Sequence, residues 1–520
     1  MPVIASTVRV GISNRVAPGR LPRTCLSVQA PTVSELIARA ERAARERNLI
    51  ELRLDTVAQL SALPGPLREF LRSSPQTLVI ATCRKQTYGG GYKGSVQTQL
   101  GVLRQAAAAG CAAVDLELQS AERVPAAALA ELRQLANLII SYHDFKTTPA
   151  LLPLWERLRA VPADIYKLVT TANTWRQNME MLRFVETHSS EHPMVGFCMG
   201  ESGLMSRVLS LRAGALFTFA ALDAGQATAP GQPSLQQLQD YRAEQINRAT
   251  AIYGILGYPL EHSLSPRMHM AAYHRLGLNA VYLPLLSRKP AEVLELAAEV
   301  PLRGISITHP FKTAILDQLE RVDPLGAAVG AVNTVVSSKG KFYGYNTDVA
   351  GIVEPLSRVL ALRGAKILVV GAGGAARAAV FGLRARGAQV AIFNRTRAHA
   401  QKLAAAAKAK VVGKADLQKL SWQAIVHATP VGQYPNEGES LLASDEIHAP
   451  VVFDLVYNPL ETELLRRAKT AGAQTINGVE MLVIQGARQF ELWTGKPAPV
   501  DSMRAAALAA LAQPPAPGGE

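Results

Sequence analysis

The chain is short of several things, and each shortage removes a class of protein. Four cysteines in 520 residues, Cys25, Cys83, Cys111 and Cys198, lie far apart and form no C-x-x-C pair. Neither a disulfide framework nor a zinc site is indicated, and no metal is expected. No uncharged apolar run reaches the roughly 18 residues that a spanning helix needs, so no membrane span is expected. The opening Met1-Pro2-Val3-Ile4 begins neither a basic-then-apolar secretory signal nor an Arg/Ser-rich transit segment. A reduced, cytoplasmic protein is the expectation. Acidic residues are outnumbered: the formal net charge is +14, which directs attention to nucleic acid, membrane surface or anionic ligands. The excess is spread evenly over the two halves, without zinc-finger spacing or a basic-region heptad. Anionic small molecules fit that better than nucleic acid.

A length of 520 residues, with 48% hydrophobic and 18% charged residues, suits about three domains with large cores. Up to about residue 235, short apolar or β-branched runs alternate with Ala/Leu/Arg/Glu-rich helical stretches. Eight such runs fall near 8–10, 50–54, 78–83, 113–116, 138–142, 165–169, 194–197 and 216–219. Eight βα units in this length predict a (β/α)8 barrel, whose active sites form at the C-terminal strand ends. Polar residues gather there. Glu51, Arg53 and Asp55 close the second run, Arg84 the third, Asp115 and Glu117 the fourth, and His143-Asp144 the fifth.

Lys167 lies inside the apolar run Ile165-Tyr166-Lys167-Leu168-Val169. Burial there disfavours an ammonium and can leave a nucleophilic amine, although a strand-end lysine can also reach out to water. His143 alone reads equally as a structural histidine, and Glu51 with Arg53 as a buried ion pair. Together, Glu51-x-Arg53-x-Asp55, Arg84, His143, Lys167, Met199-Gly200, Ser206-Arg207 and Thr228-Ala229-Pro230-Gly231-Gln232 resemble the type I 3-dehydroquinate dehydratase family over about residues 5–240. The resemblance implies an imine between Lys167 and the substrate ketone. His143 would act as base and then acid, and Arg207 would clamp the substrate carboxylate. Glu51, Arg53 and Arg84 would fix hydroxyls and His143, and Thr228 with Gln232 would close the site.

In the second half, Ser263-x-Ser265-Pro266 can present two hydroxyls on one side if extended, or cap a helix. The cofactor signal is stronger. Lys366–Val370 reads as a strand and runs into Gly371-Ala372-Gly373-Gly374-Ala375-Ala376-Arg377 and an Ala-rich helix, the context a dinucleotide-binding glycine loop requires. About twenty residues on, Asn394-Arg395-Thr396-Arg397 stands where an NAD enzyme would usually carry an acid, so a 2′-phosphate, and hence NADP, is expected.

These motifs, with Thr308-x-Pro310-x-Lys312, Asn333-Thr334, Asn346-Thr347-Asp348 and Gly478–Gln485, resemble the shikimate dehydrogenase family over residues 250 to about 510. The resemblance implies that Ser263 and Ser265 hold a carboxylate, and that Asn333, Asp348 and Gln485 hold ring hydroxyls. Thr308 would lie on the substrate side, and Tyr457 would form a wall there. Lys312, with Asp348, would serve the ketone oxygen. Ser306 replaces a usual Asn, and His427-Ala428-Thr429-Pro430-Val431-Gly432-Gln433 stands where Asn-Ala-Thr-Ser-x-Gly-Met is common.

The expected architecture is α/β: a barrel over 1–240, then a substrate domain over 250–351 completed by 479–512. A Rossmann NADP domain fills 352–478, and 513–520 is a disordered tail. The implied function is dehydration of 3-dehydroquinate followed by NADPH-dependent reduction to shikimate. The rival readings are a quinate/shikimate dehydrogenase using NAD in the second half, and a ligand-sensing regulator without turnover.

Overall fold

The computed structural model describes residues 15–260, 263–297 and 300–512. The chain divides into two compact units between Thr250 and Ala251. In the first, eight parallel strands are β1 (Thr24–Val28), β2 (Leu49–Arg53), β3 (Leu78–Thr82), β4 (Ala113–Glu117), β5 (Asn137–His143), β6 (Ile165–Thr171), β7 (Met194–Met199) and β8 (Thr218–Ala221). They run in the order β7-β6-β5-β4-β3-β2-β1-β8. Among the described residues no paired ladder joins β7 to β8, where the Leu216 N–H donates to the Met194 carbonyl at 2.9 Å, so the barrel is nearly closed.

The sequence places the first strand at Val8–Val10, which lies outside the described residues. The first barrel strand is Thr24–Val28, which pairs with β2 and β8. The last is two residues later than expected, Thr218–Ala221 rather than 216–219. The first unit also extends beyond residue 240, through Thr250.

Strand alternation explains how one barrel holds both a core and a site. Leu49, Leu78, Ile80, Ala113, Ile139 and Ile165 point inward at the N-terminal ends and pack with Phe197, Phe217 and Phe219. Two residues further along the same faces come Glu51, Thr82, Asp115, Ser141 and Lys167, all buried. The interior therefore changes from hydrocarbon to charge along its axis.

The second unit has two six-stranded sheets. The first comprises β9 (Ala251–Gly257), β10 (Ala280–Leu286), β11 (Leu302–Ile307), β12 (Arg321–Val322), β13 (Thr334–Ser338) and β14 (Lys341–Tyr345), ordered β10-β9-β11-β13-β14-β12 with both parallel and antiparallel pairs. The second comprises β15 (Lys366–Val370), β16 (Gln389–Phe393), β17 (Lys410–Val411), β18 (Ala424–His427), β19 (Val451–Asp454) and β20 (Gln474–Ile476). Its order, β17-β16-β15-β18-β19-β20, is all parallel and doubly wound. Helices Gly478–Thr494 and Val500–Leu511 return to the first sheet's lobe and pack on helix Ser265–Arg275. The expected tail, 513–520, lies outside the described residues, as do Glu261 and His262 beside the Ser263 motif.

Candidate functional site

The barrel's C-terminal end opens into a narrow cleft lined by Glu51, Arg53, Arg84, His143, Lys167, Arg207, Thr228 and Gln232 among others. The eight barrel residues to which the family resemblance gives a role therefore line one cleft. Lys167 is 3% exposed. Its surroundings differ from the apolar ones its strand suggests: Nζ donates to Asp115 Oδ2 at 3.0 Å and Glu51 Oε1 at 3.3 Å, and sits 4.1 Å from the Phe219 ring centre. A deeply buried ammonium without such partners would be costly, so the carboxylates are what allow it this depth. Asp115, which the sequence shows only as a strand-end acid, also accepts from Arg84 at 3.1 Å and Ser141 at 2.6 Å. Burial alone would raise its carboxyl; Lys167 and Arg84 pull it down to about 2. Glu51 is likewise held below its ordinary value, against burial, by Lys167 and Arg53, and accepts from Ser27 and Thr82.

Arg53 does not pair with Glu51. Its guanidinium forks onto Asp55 at 3.0 and 2.8 Å, and Asp55 also accepts from the Gly91 N–H, which ties the glycine-rich loop after β3 to the strand. His143 reaches the cleft with its Nδ1 sealed from solvent and without a hydrogen-bond partner, so none of Glu51, Arg53 and Arg84 bonds to that atom. Burial first, then the charges of Arg84, Lys167, Arg53 and Arg207, holds the imidazole well below its ordinary value and therefore neutral.

Arg207 is 1% exposed and has no carboxylate partner among the described residues. One nitrogen donates to the Pro230 carbonyl at 3.1 Å, Nε has no partner, and the guanidinium lies 4.5 Å from the Phe197 ring centre. Burial lowers its pKa to about 9, which still leaves it cationic at neutral pH. Over it, the Thr228 N–H and Oγ1 both donate to Gln232 Oε1, at 2.6 and 3.0 Å, closing a small loop. Gly231, at φ +65°, lies so close to Gly200 that a Cβ would come 2.2 Å from its carbonyl oxygen. The loop can seat only with glycine there.

In the second unit Lys312 Nζ pairs with Asp348 Oδ2 at 2.5 Å. Asn333 Nδ2 donates to Asp348 Oδ1 at 2.8 Å, Thr347 Oγ1 at 2.9 Å and Gln485 Oε1 at 3.3 Å, so four of the expected residues, Lys312, Asn333, Asp348 and Gln485, form one cluster. Ser265 begins its helix and is buried against Tyr282. The Tyr282 hydroxyl donates to Ser306, Ser306 donates to Gln489 Oε1, and Gln489 Nε2 donates to the Asn333 carbonyl and Thr334 Oγ1. Ser306 is thus a link in a buried chain from Ser265 to Asn333. Ser263, Thr308 and Tyr457 are only half-buried, and none of that cluster's hydrogen bonds reaches them.

The glycine loop has the form a pyrophosphate needs. Gly371 takes φ +125°, and a Cβ there would come 2.7 Å from the Ala428 carbonyl oxygen; Gly373 faces open space. Helix Gly374–Ala385 starts with no side-chain cap and no acid in its first turn, leaving its N–H groups available. Ala372 and Ala375 flank the turn, half-buried. At the end of the neighbouring β16, Asn394 turns back onto the Thr396 carbonyl, and Arg395, Thr396 and Arg397 are exposed. The residues present fit a dinucleotide with a 2′-phosphate. Among the described residues there is no group of three or more His, Cys, Asp or Glu that could hold a metal ion, and no helix is long and apolar enough to cross a membrane.

Fold and sites define an enzyme in two parts, a lyase-type barrel joined to an NADP-type oxidoreductase. The type I 3-dehydroquinase profile matches residues 24–247. Residues 255–335 match the shikimate dehydrogenase substrate binding domain, 355–429 shikimate / quinate 5-dehydrogenase, and 478–508 the shikimate 5'-dehydrogenase C-terminal domain. The chloroplastic bifunctional 3-dehydroquinate dehydratase/shikimate dehydrogenase of Arabidopsis thaliana is 34% identical over 91% of this chain and 82% of its own. The NADP(+) shikimate dehydrogenase of Methanopyrus kandleri is 45% identical over 51% of this chain and 97% of its own. A solved structure, the dehydroquinate dehydratase and shikimate dehydrogenase of S. pombe AroM, is 25% identical over 94% of this chain and 98% of that one, with a TM-score of 0.44. The chain belongs to the bifunctional 3-dehydroquinate dehydratase/shikimate dehydrogenase family.

Proposed function

We propose that the barrel dehydrates 3-dehydroquinate to 3-dehydroshikimate and that the second unit reduces this product to shikimate with NADPH. The observation that carries the first half is the pairing of Lys167 with an uncompensated Arg207 in one cleft. A buried cation lacking an anion is a site prepared for a carboxylate. With that carboxylate on Arg207, Lys167 passes its ammonium proton to neutral His143, the freed amine adds to the ketone, and His143 returns the proton to the carbinol hydroxyl, which leaves as water and gives a protonated imine. The imine draws electrons from the neighbouring carbon, whose proton passes to neutral His143. The resulting enamine expels the β-hydroxyl, which leaves as water with the proton from His143. Hydrolysis of the imine then frees Lys167. Glu51 and Asp115 position the lysine through direct hydrogen bonds.

In the second unit Ser263 and Ser265 receive the carboxylate, and Asn333 and Gln485 receive ring hydroxyls, with Thr308 and Tyr457 as walls. Gly371–Ala375 and Asn394–Arg397 would hold NADPH, which would supply the hydride. Lys312 gives its proton to the ketone oxygen, and Asp348, which grips Lys312, keeps it aimed. A cytoplasmic setting fits four cysteines that are all buried.

Borohydride added during turnover of 3-dehydroquinate should attach one product-sized mass to the peptide holding Lys167; no adduct there rejects the barrel mechanism. Lys312→Ala should lose reduction and keep dehydration. Wild-type rates with shikimate and quinate, and with NADP and NAD, separate the proposed activity from a quinate-type one.

A further inference from the structure

The doubly wound sheet reverses direction between β15 and β18, and in such sheets the ligand lies in the crevice at that reversal. The glycine loop forms one bank of this crevice. The other is the segment after β18, in direct contact with it: a Cβ on Gly371 would come 2.7 Å from the Ala428 carbonyl oxygen and 3.1 Å from Thr429 Cγ2. With the 2′-phosphate side assigned to β16, the bank after β18 faces the opposite, nicotinamide half. Lys312, whose Cδ would lie 3.9 Å from a Cβ on Gly374, is beside the same loop.

Beneath that bank lies a buried relay. His427 and Asp454 end their strands as register partners, 2% and 0% exposed. His427 Nδ1 lies 2.8 Å from Asp454 Oδ1, and its Nε2 lies 2.5 Å from Thr429 Oγ1. Asp454 also accepts from Thr462 Oγ1 at 2.6 Å and the Val456 N–H at 3.1 Å, so its oxygens are occupied by donors and Nδ1 must donate as well. That fixes the ring's orientation and aims Nε2 at Thr429. Thr429 Oγ1 in turn accepts from the Val431 N–H at 3.3 Å, which folds the segment over its own hydroxyl.

We propose that the Asp454–His427–Thr429 relay is a positioning device for the cofactor: it holds the Ala428–Gly432 segment in the shape that receives the nicotinamide half. This rests on the reading of the second unit as an NADP enzyme. The relay sits below the binding surface and acts through Thr429, so it sets cofactor affinity rather than carboxylate or hydroxyl recognition.

The test uses the full chain and titrates NADP+ calorimetrically, alongside steady-state KM values. Thr429→Val keeps the shape and removes the hydroxyl. His427→Phe keeps a ring of similar shape and loses both of its hydrogen bonds, to Asp454 and to Thr429. Each should weaken NADP+ binding about tenfold, the order expected when one buried partner is lost, with the shikimate KM within twofold. Thr429→Ser should restore affinity. Unchanged NADP+ affinity in both variants overturns the relay. So does a parallel rise in the NADP+ dissociation constant and shikimate KM with a lowered melting temperature, which marks a general packing role. Wild-type chain that fails to bind NADP+ would reject the underlying functional reading instead.

Discussion

Replacing Arg207 with methionine should move stability and activity apart. In the free protein the guanidinium is buried with one carbonyl and one aromatic face as its described partners. Burying such a charge costs several kcal/mol. The Pro230 contact offsets about 1.5–3 kcal/mol of that, and the Phe197 ring about 1–2. Methionine fills much of the same volume and removes cost and offsets together, so folding stability should change by about 1 kcal/mol or less, a melting shift within about 4 °C. Substrate binding has no such compensation. Truncating one side of a buried charge pair costs about 2–5 kcal/mol, which at about 1.4 kcal/mol per decade is roughly 30-fold to several-thousand-fold in kcat/KM for dehydration. Thermal unfolding followed by fluorescence, with steady-state dehydration on the same sample, reads both. A large drop in melting temperature with kcat/KM nearly unchanged would show that Arg207 is structural and refute the reasoning.

Two further outcomes follow from the charges. The neutral imidazole of His143 is present above its folded pKa and lost as the pH falls through it, and burial with four neighbouring cations sets that pKa well below 6.5. The acid limb of the kcat/KM profile for dehydration should therefore lie below 6.5 and move upward in Arg207→Met, which removes one of those cations; a limb above 6.5 in the wild type contradicts the assignment. Arg395→Ala with Arg397→Ala should weaken NADPH binding about tenfold or more, at roughly 1 kcal/mol for each exposed contact to the phosphate, and leave NADH binding unchanged. Equal losses for both cofactors would remove the 2′-phosphate role.

Much of this was legible because catalysis requires residues that folding alone would not place there. Charged side chains at successive strand ends, and a glycine loop between a strand and an Ala-rich helix, are visible in one dimension. Thr24–Val28 was not: Thr-Cys-Leu-Ser-Val has no long apolar run, and its strand state comes from pairing with β2 and β8, which lie far away in the chain. Arg53 chose Asp55 over Glu51 because Glu51 is occupied by Lys167, a contact across 116 residues. His427 was noticed as a departure from its family's pattern, but its partner Asp454 is 27 residues away, and only the parallel register of β18 and β19 brings them together.

Loss of NADPH in a reaction supplied only with 3-dehydroquinate tests the central claim most directly, because here the cofactor is consumed only after dehydration, whereas a quinate-type second site would reduce 3-dehydroquinate itself and would not need Lys167. Wild-type chain should oxidise NADPH after 3-dehydroquinate is added. Lys167→Ala should fail with 3-dehydroquinate yet oxidise NADPH at the wild-type rate with 3-dehydroshikimate. No oxidation by the wild type, or undiminished oxidation from 3-dehydroquinate by Lys167→Ala, would contradict the account.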